Sequence, residues 1–189
     1  TLSCSSAASD VYKRQNCTRS GTMIDLIIGS DHRGYELKEK LSAWLCPDDI
    51  ESESKFDIAV FQDAGVHKPK RTDYNDVAMK VADNMVICDR GILICGSGFG
   101  MAIQANRFRK VRAVVCKNVS DVEQARQHND MNVLCIGADD TNFDTAKAMC
   151  KAFFTTKFLK GRHTRRVKKL YENRACLLYT SPSPRDDPL

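Results

Sequence analysis

Four short stretches of this 189-residue chain carry side chains that could do chemistry together. The first is Cys95 followed by Gly96-Ser97-Gly98-Phe99-Gly100. It sets a thiol at the end of an apolar run, directly before glycines at every second position. Alternating glycines let backbone N–H groups turn toward one point, a geometry that suits a phosphate or a developing oxyanion. A thiol held there is expected to have a lowered pKa and to face a ligand. The competing reading is a tight turn beside a core cysteine. The second stretch is GSDHRG (29–34), where Asp31 and His32 would project into the same crevice, or serve as a helix cap and a surface loop residue. The third is RQHNDMN (126–132), with His128 either a general acid or part of a capping cluster. The fourth is GRHTRRV (161–167), where Arg162 and Arg166 share a helical face at i,i+4. Two guanidinium forks on one face match phosphate oxygens, although a solvated basic helix end has the same pattern.

The glycine loop is not a nucleotide fingerprint. A dinucleotide loop needs G-x-G-x-x-G after the first strand and an acidic residue about 20 positions on. Here Met101 stands where the third glycine belongs, the loop follows the third strand, and Cys116-Lys117-Asn118 offers no carboxylate. No Gly-Lys-Ser/Thr follows, so a P-loop fails as well.

These stretches need a scaffold, and the chain alternates regularly between about 23 and 172. Strands are expected at 24–30, 56–65, 91–95, 112–116 and 132–137. Helices are expected at 33–45, 73–86, 100–108, 120–130, 145–158 and 162–172. Asp31 is the expected cap of the first helix. The strands are continuously apolar, which predicts a parallel sheet covered on both faces. The expected fold is α/β: a three-layer α/β/α sandwich with a five-stranded parallel Rossmann-like sheet and a C-terminal helix. Its expected strand order is the flavodoxin-like 2-1-3-4-5. Ligands in such folds sit beyond the carboxyl ends of the strands, which points to 30–34, 65–74, 95–100, 117–120 and 137–141.

Composition excludes several classes. No apolar run reaches the roughly 20 residues that span a bilayer. The net charge of +5 is modest and gathers in KGRHTRRVKK (160–169), which argues for a local anion site over a nucleic-acid-binding domain. Nine cysteines, an odd number without a CxxC, argue against a disulfide framework or a zinc site. They read as thiols of a reducing cytoplasm. TLSCSSAASDVYKRQ at the start and CLLYTSPSPRDDPL at the end lack periodicity and read as non-native or disordered tails, 1–22 and 173–189, flanking a domain at 23–172. A Ser-rich transit peptide is the rival reading of the first 22.

Taken together, GSDHRGYELKEKL, DY followed by DVA at 73–78, ILICGSGFGMAIQAN, RQHNDMNVLCIG and GRHTRRV resemble the ribose-5-phosphate isomerase type B family, which includes galactose-6-phosphate isomerase subunits. The resemblance covers 24–172. It implies a cytoplasmic aldose–ketose isomerase that interconverts ribose 5-phosphate and ribulose 5-phosphate through an enediolate, with no metal and no cofactor. Cys95 matches the base and Ser97 a residue that assists it. The amides of Gly96, Ser97, Gly98, Phe99 and Gly100 match the anion hole. His128 matches the group that opens the sugar ring. Asp31, His32 and Asn129 match contacts to substrate hydroxyls, and Arg162 and Arg166 the phosphate clamp. The resemblance also implies a homodimer with active sites shared between subunits.

Three departures bear on the substrate. Asp139 stands where the family usually has an arginine, and a carboxylate there repels phosphate unless it points away or a nearby cation compensates. Asp73-Tyr74-Asn75 replaces a proline-stiffened turn, and Ser120-Asp121-Val122 replaces a Tyr-Ser/Thr-Ala sequence. A hexose-6-phosphate isomerase and a non-catalytic sugar-phosphate-binding relative are the alternatives these departures raise.

Overall fold

The structure, a computed structural model, describes residues 24–46, 56, 58–68 and 70–172. The two terminal tails, and the domain boundaries drawn against them, lie outside the described residues.

Among the described residues, five strands alternate with helices and a sixth helix ends the run: β1 (Ile24–Ser30), α1 (Tyr35–Leu45), β2 (Ile58–Asp63), α2 (Tyr74–Asn84), β3 (Arg90–Cys95), α3 (Phe99–Ala105), β4 (Ala113–Val115), α4 (Val119–Asn129), β5 (Val133–Gly137), α5 (Phe143–Thr155) and α6 (Arg162–Glu172). All strand pairs are parallel. The expected α/β class and three layers are present. Alternate strand residues face opposite sides. Leu26, Ile28, Ile92, Ile94, Leu134 and Ile136 pack against Leu37 and Leu41 of α1, Val122 of α4, and Met149 and Phe153 of α5. On the other side Ile27, Leu93, Cys95, Val133 and Cys135 pack against Val77 and Val81 of α2 and Met101 and Ala105 of α3. Each Val, Leu, Ile, Phe or Met among them contributes roughly 1.5–3 kcal/mol when fully buried.

The strand order is β2-β1-β3-β5-β4, so the expected order is corrected in its last two places. The reason lies in burial. All five residues of β5 are buried, as an interior strand requires. β4 has three residues, and Val114 and Val115 are half-buried, which suits a short edge. The order matters for chemistry. Cys95 pairs with Gly137, so the turn after β5, with Ala138 and Asp139, meets the loop after β3.

Helix starts follow simple capping. Asn118 caps α4 by accepting from the Asp121 amide at 2.9 Å, and Asn142 caps α5 by accepting from the Thr145 amide at 2.8 Å. Asp31 does not cap α1, whose N-cap is Gly34. Its carboxylate instead accepts from the amides of Arg33 at 2.9 Å and Gly34 at 3.0 Å, which ties the turn before the helix. No helix of the described residues is long and apolar enough to cross a membrane.

Candidate active site

β3 delivers Cys95 to the carboxyl edge of the sheet, and the chain then turns sharply at Gly98. Gly98 has φ +79°, a left-handed conformation that costs a residue with a β-carbon about 1–2 kcal/mol. This turn points the Gly98 amide back at the Cys95 Sγ, 3.1 Å away. Burial pushes the thiol above its ordinary range. The amides of Gly98 and Ser97 act against that, the Asp31 carboxylate adds to it, and the Met101 amide again opposes. The net shift is upward, so the expected lowering is corrected: desolvation of a thiol only 5% exposed outweighs the loop amides. The amides of Ser97, Gly98 and Met101 thus converge on the sulphur. The Met101 amide was not among the expected donors, because its side chain reads as core.

Two carbonyls of the loop are tied to the turn after β5. The Ala138 amide donates to Cys95 O at 2.8 Å, and the Asp139 amide to Gly96 O at 3.1 Å. β1 supplies the facing residues. Asp31 is buried, and its amide donates to Ile94 O at 3.2 Å. His32 Nδ1 accepts from the Thr72 amide at 3.4 Å. The Arg33 guanidinium lies against Gly96 and pairs with Asp139. Tyr74 lays its ring on Gly100. Arg33 was missed in the sequence, although it lies within the 30–34 segment that follows β1.

The second group sits on α4 and α6. His128 stacks on His163 with ring centroids 4.5 Å apart and planes 2° apart. His163 is buried, and Arg162 Nε donates to its Nε2 at 3.4 Å. Desolvation holds the His163 pKa below the ordinary imidazole range, helped by His128, Arg162 and Arg166. Arg162 and Arg166 are exposed, and Asn129 is the last, exposed residue of α4. Behind them Asp130, at φ 48°, accepts from Arg112 at 2.8 Å and Arg126 at 3.0 Å, fixing the corner that ends α4.

Among the described residues, no hydrogen bond, ion pair or ring contact joins the Cys95 group to the His128 group. An open groove between α3 and α4 has Phe99 on one wall and His128 and Asn129 on another, floored by Val114 and Val115. Phe99 is 54% exposed and Ile103 is 70% exposed, an unusual cost for large apolar residues beside a polar site. Among the described residues, no group of three or more His, Cys, Asp or Glu is placed to hold a metal ion.

Comparison with known proteins decides the family. The model of the ribose/galactose isomerase family matches residues 26–170. The chain belongs to this family. It is 40% identical over 148 residues to a Rickettsia bellii protein provisionally named a sugar phosphate isomerase, covering 77% of this chain and 96% of that one. It is 37% identical over 152 residues to ribose-5-phosphate isomerase B of Escherichia coli, covering 78% and 95%. The structure of Clostridium thermocellum ribose-5-phosphate isomerase B matches with a TM-score of 0.74 at 35% identity, covering 82% of this chain and 99% of that chain. As a ribose/galactose isomerase family member, the protein is an isomerase of the sugar-phosphate class.

Proposed function

We propose that the protein interconverts ribose 5-phosphate and ribulose 5-phosphate, in the cytoplasm, as a step of pentose phosphate metabolism. The observation that carries this reading is Cys95 Sγ held 3.1 Å from the Gly98 amide, inside a loop whose amides turn on one point. Moving a proton between adjacent carbons needs one base beside both, and fixed dipoles where negative charge develops. The minor thiolate form of Cys95, its charge held by the amides of Gly98, Ser97 and Met101, takes the proton from C2 of the open-chain aldose. The electron pair moves into a C1–C2 double bond and leaves the charge on O1, as an enediolate held by loop amides. The thiol returns the proton to C1, and the hydroxyl proton of O2 transfers to O1, so atoms and charge balance. Ser97, whose backbone amide faces the sulphur, assists it. Asp31 and His32 hold substrate hydroxyls.

In this reading the working enzyme is a homodimer. His128 opens the sugar ring, Asn129 contacts a hydroxyl, and Arg162 and Arg166 hold the phosphate, all four entering from the second subunit. The separation of the two groups within one chain supports this, as do Phe99, exposed in the groove between them, and the exposed Ile103 of α3. The substrate assignment is supported by the 37% identical E. coli protein, named for ribose 5-phosphate.

A second reading changes only the sugar. A Mycolicibacterium smegmatis relative, 32% identical over 138 residues, is named D-erythrulose-4-phosphate isomerase 2. The Arg33–Asp139 pair beside the loop is the feature of this site that could tune such a choice. The test is an isomerase assay of the purified chain on four-, five- and six-carbon sugar phosphates. Highest kcat/KM on ribose 5-phosphate, lost in Cys95→Ala, is expected. No turnover, or a fully active Cys95→Ala, overturns the reading. A higher value on another sugar phosphate moves the assignment to it.

A further inference from the structure

We infer that Arg33 is a specificity-determining residue for a phosphorylated substrate, because it cancels the charge of Asp139 at the mouth of the Cys95 loop. The inference rests on the sugar-phosphate reading of this site.

Three observations place Arg33 there. A β-carbon at Gly96 would lie about 2.5 Å from the Arg33 Cζ and Nη1, so the guanidinium rests directly on the residue after Cys95. Only a residue without a β-carbon admits that approach. The other side of the same peptide is tied to β5, since Gly96 O accepts from the Asp139 amide at 3.1 Å. Finally, Arg33 Nη2 pairs with Asp139 Oδ2. One bond of the guanidinium fork is thus committed to Asp139, and the side chain remains 56% exposed.

Electrostatics then separates two roles. An ion pair this exposed contributes about 0–1 kcal/mol to stability, so holding the fold together is a weak reason for it. Its effect on an arriving dianion is larger. Asp31 and Asp139 both bring carboxylates to this edge of the loop, and Asp139 is 46% exposed. Left bare, Asp139 repels a sugar phosphate. Paired with Arg33 it becomes neutral toward it, and the remaining guanidinium donors stay available to substrate oxygens.

The test is a double-mutant cycle of Arg33→Met, Asp139→Asn and the pair, read as KM and kcat on ribose 5-phosphate, with melting temperature as control. Arg33→Met is expected to raise KM about tenfold with a smaller change in kcat. Asp139→Asn alone should leave KM at or below wild type. The double variant should return to within about threefold of wild type, because removing the repelling carboxylate makes the arginine dispensable. Melting temperatures should stay together. Equal damage from both single variants with no recovery in the double overturns the inference, since that is the pattern of a structural clamp. If wild type does not turn over, the same cycle is read by calorimetric binding of ribose 5-phosphate. The expected pattern there upholds Arg33 while the isomerase reading falls; no binding by wild type overturns both.

Discussion

The sulphur of Cys95 accepts a hydrogen bond from the amide of Gly98, 3.1 Å away, and Gly98 holds that amide in place through a φ of +79°. The two residues act as one device. Gly98→Ala strains the turn and swings the donor away. Loss of one such donor typically costs about 10²–10³ in kcat. We expect at least a hundredfold lower kcat, together with roughly 1–2 kcal/mol of lost stability. Steady-state assay and urea unfolding measure both; wild-type kcat in the Gly98→Ala variant removes the amide from the mechanism.

Buried thiols should weaken the fold at alkaline pH. Burial pushes Cys116 and Cys150 up to about 12, from an ordinary value of 9.0. A raised acid favours the protonated folded form. Its contribution is therefore complete below pH 9 and is lost as pH rises toward 12. Arg90, lowered by burial to about 10, works in the opposite sense above pH 10. The clean window is pH 9 to 10. There the unfolding free energy from urea titration should fall, by up to about 1.4 kcal/mol per thiol per pH unit. Cys150→Ala should shrink that slope, whatever it does to stability near neutral pH. An unchanged slope would show that Cys150 does not titrate as its burial requires.

The scaffold was legible where the signal is local. β1 and α6 fall at their expected positions because their boundaries are set by local residues, Gly29-Ser30 at the end of one and Gly161 before the other. The order of β4 and β5 was not legible. Both read as short apolar runs, and only the assembled sheet shows that β5 is buried throughout. The Cys95 pKa was misjudged for a similar reason. Adjacent glycines announce amides, but the extent of burial is a property of packing. His163 carries no signal of its own, since its partner His128 lies 35 positions away in sequence and meets it only through the packing of α6 on α4.

Acid should destabilise the fold through His163. Its pKa is lowered by desolvation and by neighbouring His128, Arg162 and Arg166. A lowered base favours the neutral folded form. Its contribution is full above pH 6.5 and is lost as pH falls through the folded value. Melting temperature should therefore drop more between about pH 7.5 and pH 5 in wild type than in His163→Asn. Equal drops would assign the acid sensitivity to other groups.

Asp130 holds the corner from which His128 and Asn129 project. It receives Arg112 and Arg126, whose side chains are only 13% and 4% exposed. Removing the carboxylate leaves two cations facing each other with little water. Asp130→Ala should cost about 3 kcal/mol, near the lower end for a broken buried pair. Asp130→Asn should cost less, because asparagine tolerates φ 48° and keeps an acceptor. Denaturant unfolding gives both values; equal costs would assign the effect to the backbone rather than the charge.

Within one chain Cys95 and His128, the proposed base and ring-opening group, make no contact, so the decisive experiment mixes a Cys95→Ala with a His128→Asn variant. Cys95→Ala removes the proposed base, and His128→Asn the proposed proton donor. Each homodimer should be inactive. A heterodimer of the two has one site with both defects and one site with neither. Mixing, unfolding and refolding equal amounts makes half of the dimers heterodimers at random pairing, each with one intact site. Activity should return to about one quarter of wild type, by the closed two-fold arithmetic of such assemblies. The same mixture carrying Ile103→Lys should stay inactive and sediment as monomer, because a lysine at that 70% exposed apolar position opposes burial in an interface. Sites contained within single chains give a different result. No mixture of the two variants then recovers activity, and the groove between α3 and α4 must close over both residues without a partner.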